Sequence, residues 1–125
     1  MFFLYGVVVR QKICKLKQLN ESFCFEFIVK NATEEKDAFL IFFKGQYYAY
    51  INDCPHTGVN LNWQPGQFFS MDGLLLQCSL HGALFTPENG LCVRGPCQGQ
   101  YLTAINIDVN EEAVFLRENG LVVIK

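Results

Sequence analysis

Histidine is scarce in this sequence, with two residues in 125, and there is a single tryptophan and only four prolines. Any imidazole-based metal site is therefore limited to two histidine ligands. Ten Lys and Arg against twelve Asp and Glu leave a net charge of -2. That balance provides no broad basic surface, so nucleic-acid binding lacks an electrostatic basis. No apolar run approaches the roughly 20 residues of a membrane-spanning helix, and no repeat, low-complexity tract or Pro/Gly-rich linker divides the chain. The length suits one core, and a single domain over residues 1–125 is expected.

The apolar stretch at residues 1–9 lacks a preceding basic region and a small-residue cleavage site, and Arg10 and Lys12 end it. It reads as an amino-terminal arm or strand over residues 1–11 rather than a signal peptide, which predicts a cytoplasmic protein. Without a secretory context the six cysteines do not read as a disulfide framework. Cys14 and Cys24 lie in strand-like runs and are expected as small buried hydrophobes.

Aromatic residues are plentiful, with twelve Phe and five Tyr. Phe23, Phe25, Phe27 and Val29 alternate with Cys24, Glu26, Ile28 and Lys30, the period of a strand with one buried face. After a charged turn at residues 33–37, two aromatic runs at 38–43 and 47–51 flank Lys44-Gly45-Gln46, which predicts a hairpin. Residues 53–100 are broken by Gly and Pro, with short strands expected at 73–77 and 83–85. Regular strands return at 102–109, 113–116 and 121–124. No segment has a convincing helical period. The predicted fold is all-β, a β-sandwich or small barrel carrying a small loop-rich subdomain over residues 53–100.

Both histidines fall in that subdomain, and each accompanies a cysteine: Cys54-Pro55-His56 and Cys78-Ser79-Leu80-His81. Two facing loops, each offering a thiolate and an imidazole, provide four ligands. Such a set suits tetrahedral zinc or a two-iron cluster, and the residues alone leave both open.

The pattern Cys54-x-His56 followed by Cys78-x-x-His81-Gly82 resembles the Rieske [2Fe-2S] domain, and the likeness extends to Arg94-Gly95-Pro96, similar to that family's proline loop. It spans roughly residues 12–109. The 21 positions from 57 to 77 exceed the family's usual spacing, and the extra length falls at residues 63–70. The resemblance implies that Cys54 and Cys78 bind one iron, and His56 and His81 the other, of one [2Fe-2S] cluster. Neutral imidazoles in place of two thiolates make such a cluster less negative and easier to reduce.

Members that are oxygenases also carry a mononuclear iron held by two further histidines and a carboxylate, and these residues offer no further histidine. The resemblance therefore implies a ferredoxin, not itself an enzyme, that carries single electrons between a ferredoxin reductase and a terminal oxygenase or reductase such as a dioxygenase. It involves neither nucleic acid nor membrane. The alternatives are a structural or regulatory zinc domain, and an accessory subunit similar to the small subunit of nitrite reductase.

Cys92 and Cys97 have no histidine beside them and are expected as unreactive thiols. Trp63, Phe68 and Phe69 are expected to pack the long loop onto the subdomain, with an apolar docking rim as the alternative.

The high-potential members place cysteines where this chain has Val59 and Leu80, and hydroxyl side chains where it has Ala83 and Phe85. Fewer hydrogen bonds to sulfur stabilise the reduced state less. A redox titration is expected to give a midpoint toward the low end of the Rieske range of about -150 to +300 mV, and Ala83→Ser is expected to raise it. A midpoint well above zero would contradict this reading.

Overall fold

The computed structural model describes residues 2–4, 7–9, 11–19, 23–55, 58–62, 64–79, 82–118 and 120–124. Strands β1 (Phe2–Leu4) and β2 (Val7–Val9) pair antiparallel with Phe3 opposite Val8. Strand β3 (Gln11–Lys15) leads into a single 3-10 turn at Leu16–Gln18. Three longer strands follow: β4 (Cys24–Lys30), β5 (Glu35–Phe43) and β6 (Gln46–Ile51). The Gly- and Pro-rich segment holds only the short β7 (Leu76–Gln77), β8 (Leu84–Phe85) and β9 (Cys92–Arg94). The chain then forms β10 (Ala104–Ile105), β11 (Ile107–Val109), β12 (Ala113–Leu116) and β13 (Val122–Val123).

A five-stranded sheet ordered β10-β6-β5-β4-β13 is the centre of the molecule, accompanied by three-stranded sheets β11-β12-β3 and β7-β8-β9. Strand β5 pairs on both sides, Phe39 opposite Glu26 of β4 and Tyr50 of β6. Its side chains alternate between two cores. Phe39 and Ile41 enter one cluster with Tyr50, Phe68, Leu76 and Phe85. Ala38 and Leu40 enter the other with Phe27, Val29, Val114 and Leu116. A strand covered on both faces must be apolar at consecutive positions, which explains the unbroken run at 38–43. The β5–β6 turn is made by Lys44 (φ 48°) and Gly45 (φ 83°), the two positive φ values of the tight turn that suits a twisted hairpin.

Several boundaries differ from expectation. Strand β5 begins at Glu35, inside the expected charged turn, because Glu35, Lys36 and Asp37 pair with Lys30, Val29 and Ile28 of β4. The expected strand at 102–109 is two strands in different sheets, parted at Asn106, which lets the chain pass from one layer to the next. At 73–77 only Leu76–Gln77 is strand. Phe23 does not share the buried face of β4. It precedes the strand in the left-handed region (φ 59°) and is 56% exposed.

The polar residue in the middle of β4 also has a defined task. Glu26 faces the long loop, accepting Gly66 N–H through Oε2 at 2.8 Å and Asn62 Nδ2–H through Oε1 at 3.2 Å. The Cys24 thiol donates to the Gly66 carbonyl at 3.4 Å. These bonds tie the extra residues to the central sheet. Aromatic packing completes the attachment: Phe68 is fully buried and stacks on Phe39 with ring centroids 4.2 Å apart, and Phe69 stacks on Phe43 at 6.0 Å. Phe68 is thus a core residue and not part of a docking rim; Trp63 lies outside the described residues. Phe68→Ala is expected to cost about 3–5 kcal/mol of unfolding free energy, read as a lower denaturation midpoint in urea at unchanged slope.

Candidate metal centre

Strand β6 ends at the base of the first cysteine loop. Asn52 N–H donates to the Asp37 carbonyl of β5 at 2.8 Å, and Ile51 N–H to that of Thr103, just before β10, at 2.9 Å, so the exit is held on both sides. The loop then closes on itself. Gly58 N–H donates to the Cys54 carbonyl at 2.7 Å, and Cys54 N–H to the Val59 carbonyl at 2.7 Å.

The second loop, leaving β7 and entering β8, repeats this scheme. Gly82 N–H donates to the Cys78 carbonyl at 2.9 Å, and Cys78 N–H to the Ala83 carbonyl at 2.8 Å. In each loop the glycine four positions beyond the cysteine is left-handed, with φ 73° at Gly58 and 70° at Gly82, a conformation that costs other residues dearly. Two separate sequences therefore build the same cysteine-headed, hydrogen-bonded ring.

A buried asparagine and a serine join the rings. Asn52, 1% exposed, accepts Leu61 N–H through Oδ1 at 2.7 Å and donates from Nδ2 to Asn62 Oδ1 at 2.8 Å. Ser79, within the second ring, donates both N–H and Oγ–H to the Leu61 carbonyl, each at 2.8 Å. Leu61 thereby couples the β6 exit to the second ring. Neither Asn52 nor Ser79 figured in the sequence reading; the available signal was a polar residue ending an apolar strand one residue before Asp53-Cys54.

A third loop covers the second. After β9, Cys92 N–H donates to the Gln100 carbonyl at 2.8 Å, Gly99 N–H to that of Cys92 at 2.9 Å, and Gln100 N–H to that of Cys97 at 2.9 Å. Gly95 presses on Ala83: a Cβ at Gly95 would lie 2.8 Å from Ala83 Cα. Only a hydrogen fits between the two backbones.

Four cysteines are buried within these loops. Cys54, Cys78, Cys92 and Cys97 are all free, buried members of the cluster that also holds Phe39 and Tyr50. Cys97 Sγ lies 2.9 Å from Cys92 Sγ, and the Cys92 thiol donates to the Arg94 carbonyl at 3.2 Å. Burial above all, then the neighbouring Cys92 thiol, pushes the Cys97 thiol up to about 12. Cys14 belongs to the other core, where burial raises its thiol to about 11, in keeping with a buried hydrophobe. Cys24 is 1% exposed.

Of the four expected ligands, Cys54 and Cys78 are both buried members of the loop-side core cluster. His56 and His81 lie outside the described residues, although the sequence puts each between a ring cysteine and its glycine. Among the described residues no group of three or more His, Cys, Asp or Glu side chains converges on a metal position. The donor set suits an iron-sulfur group: two buried thiols without disulfide partners head hydrogen-bonded rings that each contain a histidine in sequence.

Comparison with known proteins agrees. The Rieske [2Fe-2S] domain profile matches residues 9–118, and the chain belongs to that family. Its fold is similar to the ferredoxin of carbazole 1,9a-dioxygenase from Nocardioides aromaticivorans IC177, with TM-score 0.66, 19% identity, and coverage of 87% of this chain and 97% of that one. The Sphingomonas yanoikuyae B1 ferredoxin gives TM-score 0.66 and 16% identity, covering 88% and 99% respectively. The terminal oxygenase of carbazole 1,9a-dioxygenase from Novosphingobium sp. KA1 gives 0.66 and 18%, covering 86% of this chain but 29% of that one. No curated protein matches the sequence.

The Gly95 contact yields a direct test. Gly95→Ala, at φ 107° and with backbone in its way, is expected to push the third loop off the second and lower the iron retained per chain several-fold. Iron content measured alongside far-ultraviolet circular dichroism separates this from global unfolding.

Proposed function

We propose that this protein is a Rieske-type ferredoxin, which carries one electron at a time from a reductase to a terminal oxidoreductase such as a ring-hydroxylating dioxygenase. The observation that carries the reading is the repeated ring: two cysteines in equivalent positions of two hydrogen-bonded loops, with thiols in one buried cluster. Cys54 and Cys78 would hold one iron of a [2Fe-2S] cluster, and His56 and His81 the other. When bound, such a cluster accepts and returns a single electron near the histidine-ligated iron.

The chain supplies the setting. The two rings fix the cysteine backbones before any metal arrives, because their closing bonds are internal to the protein. Phe68, Leu76, Phe85 and Leu102 share the buried cluster of the thiols, and exchange with a partner would take place from the loop side. The fold is similar over nearly the full length of the two ferredoxins, which supports the carrier reading. Within these residues both histidines are taken by the cluster, so substrate chemistry belongs to the partner.

No helix among the described residues is long and apolar enough to cross a membrane. The proposal places the protein in the cytoplasm, where a reductase and an oxygenase would meet it.

Anaerobically purified protein is expected to contain about two irons and two sulfides per chain, with a rhombic EPR signal that appears on reduction by dithionite. Cys54→Ser and Cys78→Ser are expected to abolish the signal. A colourless protein holding one zinc and no sulfide would replace the carrier reading with a structural metal domain.

A further inference from the structure

An apolar groove of about 580 Å³ opens where the β5–β6 turn meets the long segment between the two cysteine rings. Phe42 and Phe43 at the end of β5, Phe23 before β4, and Phe69 and Leu74 from the long segment line it, with Lys44 as its one charged residue. The phenyl groups already form pairs: Phe23 lies 6.2 Å from Phe42 and Phe69 6.0 Å from Phe43, centroid to centroid. No residue of the cysteine rings or the third loop takes part.

Two features set this groove apart from incidental surface hydrophobicity. Phe23 is 56% exposed and Leu74 53%; single exposed apolar side chains are ordinary, but a contiguous group marks a binding surface. Phe23 is also held at φ 59°, a conformation unfavourable for a bulky side chain, and Phe42 N–H pins it there by donating to the Phe23 carbonyl at 2.9 Å. Among the described residues the other non-glycine in this region is Lys44, whose φ the hairpin turn requires; no such turn accounts for Phe23. A strained backbone that leaves an aromatic side chain in water opposes folding twice, and such strain collects at functional sites.

The charge of the groove is one-sided. Lys44 Nζ lies 5.2 Å from the Phe43 ring centroid and has no ion-pair partner among the described residues. No carboxylate lines the groove, and that of Asp72 in the adjacent turn accepts Ser70 Oγ–H at 2.6 Å and Leu74 N–H at 3.0 Å. A concave site of this size, walled by aromatics with one placed charge, has the make-up of a small-molecule site. The phenyl groups select a flat aromatic partner through offset and edge-to-face contacts, and the lone cation selects an anion.

We propose that this groove binds an aromatic monocarboxylate, with its ring system against Phe23, Phe42 and Phe69 and its carboxylate at Lys44 Nζ. The groove contains none of the proposed cluster ligands, so its assignment stands apart from the carrier reading.

Isothermal titration calorimetry on the purified protein tests it, with naphthoate as the probe and its uncharged amide and octanoate as controls. Naphthoate is expected to bind saturably and more weakly as salt is added, and both controls several-fold less tightly. Lys44→Asn removes the cation at a turn position that favours asparagine before glycine. It is expected to weaken naphthoate about five-fold and leave the amide unchanged. Phe23→Gly is expected to weaken both aromatic ligands about tenfold, with a urea midpoint no lower than that of wild type, because glycine adopts this φ freely.

Absence of saturable naphthoate binding overturns the assignment. So does either control binding as tightly as naphthoate, a naphthoate affinity unmoved in either variant, or a lowered midpoint in Phe23→Gly, which would make the exposed ring part of the fold. A concentration-dependent dimer in sedimentation velocity that Phe23→Gly dissociates would give the groove to a second copy of the chain instead. Each of these outcomes is read whether or not the protein holds iron and sulfide, so the carrier reading fails or stands separately.

Discussion

The hydrogen bonds of Asn52 are the joint on which the site depends. It is the one polar side chain buried in the core among the described residues, and both ends of its amide are paired. A buried amide with either end unpaired would be costly, so the segment from Asn60 to Asn62 must return to the end of β6. Leu61, placed by that return, then receives two bonds from Ser79. One satisfied amide thus sets the relation between two rings that lie 24 residues apart, from Cys54 to Cys78.

The central sheet makes this joint possible. Because β5 is covered on both faces, the β-sandwich side and the loop side share one strand and cannot shift independently. Tyr50 extends the coupling, donating its hydroxyl proton to the Pro87 carbonyl at 2.6 Å from within the loop-side core. Glu26 and Cys24 do the same at the other edge for the turn at Gly66. The long spacing between the two motifs is therefore fastened to the sheet at several points rather than left as a free insertion.

Much of this was legible in the sequence because the signals were local. Alternation marked β4, a Gly turn between aromatic runs marked β5 and β6, and two Cys/His pairs marked the rings. What escaped the sequence was tertiary. Nothing in the residues around Asn106 shows that the chain changes sheets there, because β10 and β11 differ only in which strand each meets. The outward-facing Phe23 obeys the same alternation as its buried neighbours, and only the left-handed backbone removes it from the strand. Cys97 reads as an ordinary thiol in one dimension, yet it sits 2.9 Å from Cys92 in a loop whose Gly95 meets Ala83, two residues that the sequence separates by eleven intervening positions, 84 to 94.

The self-closed rings have a consequence for the speed of electron exchange. Two N–H groups in each ring are engaged with ring carbonyls at 2.7–2.9 Å, so these four peptide dipoles are fixed before any charge changes beside them. Such a preorganised environment needs little rearrangement when the charge changes. For a cluster bound between the rings, the nuclear contribution to the activation barrier would be correspondingly small in both directions, as a reversible relay requires.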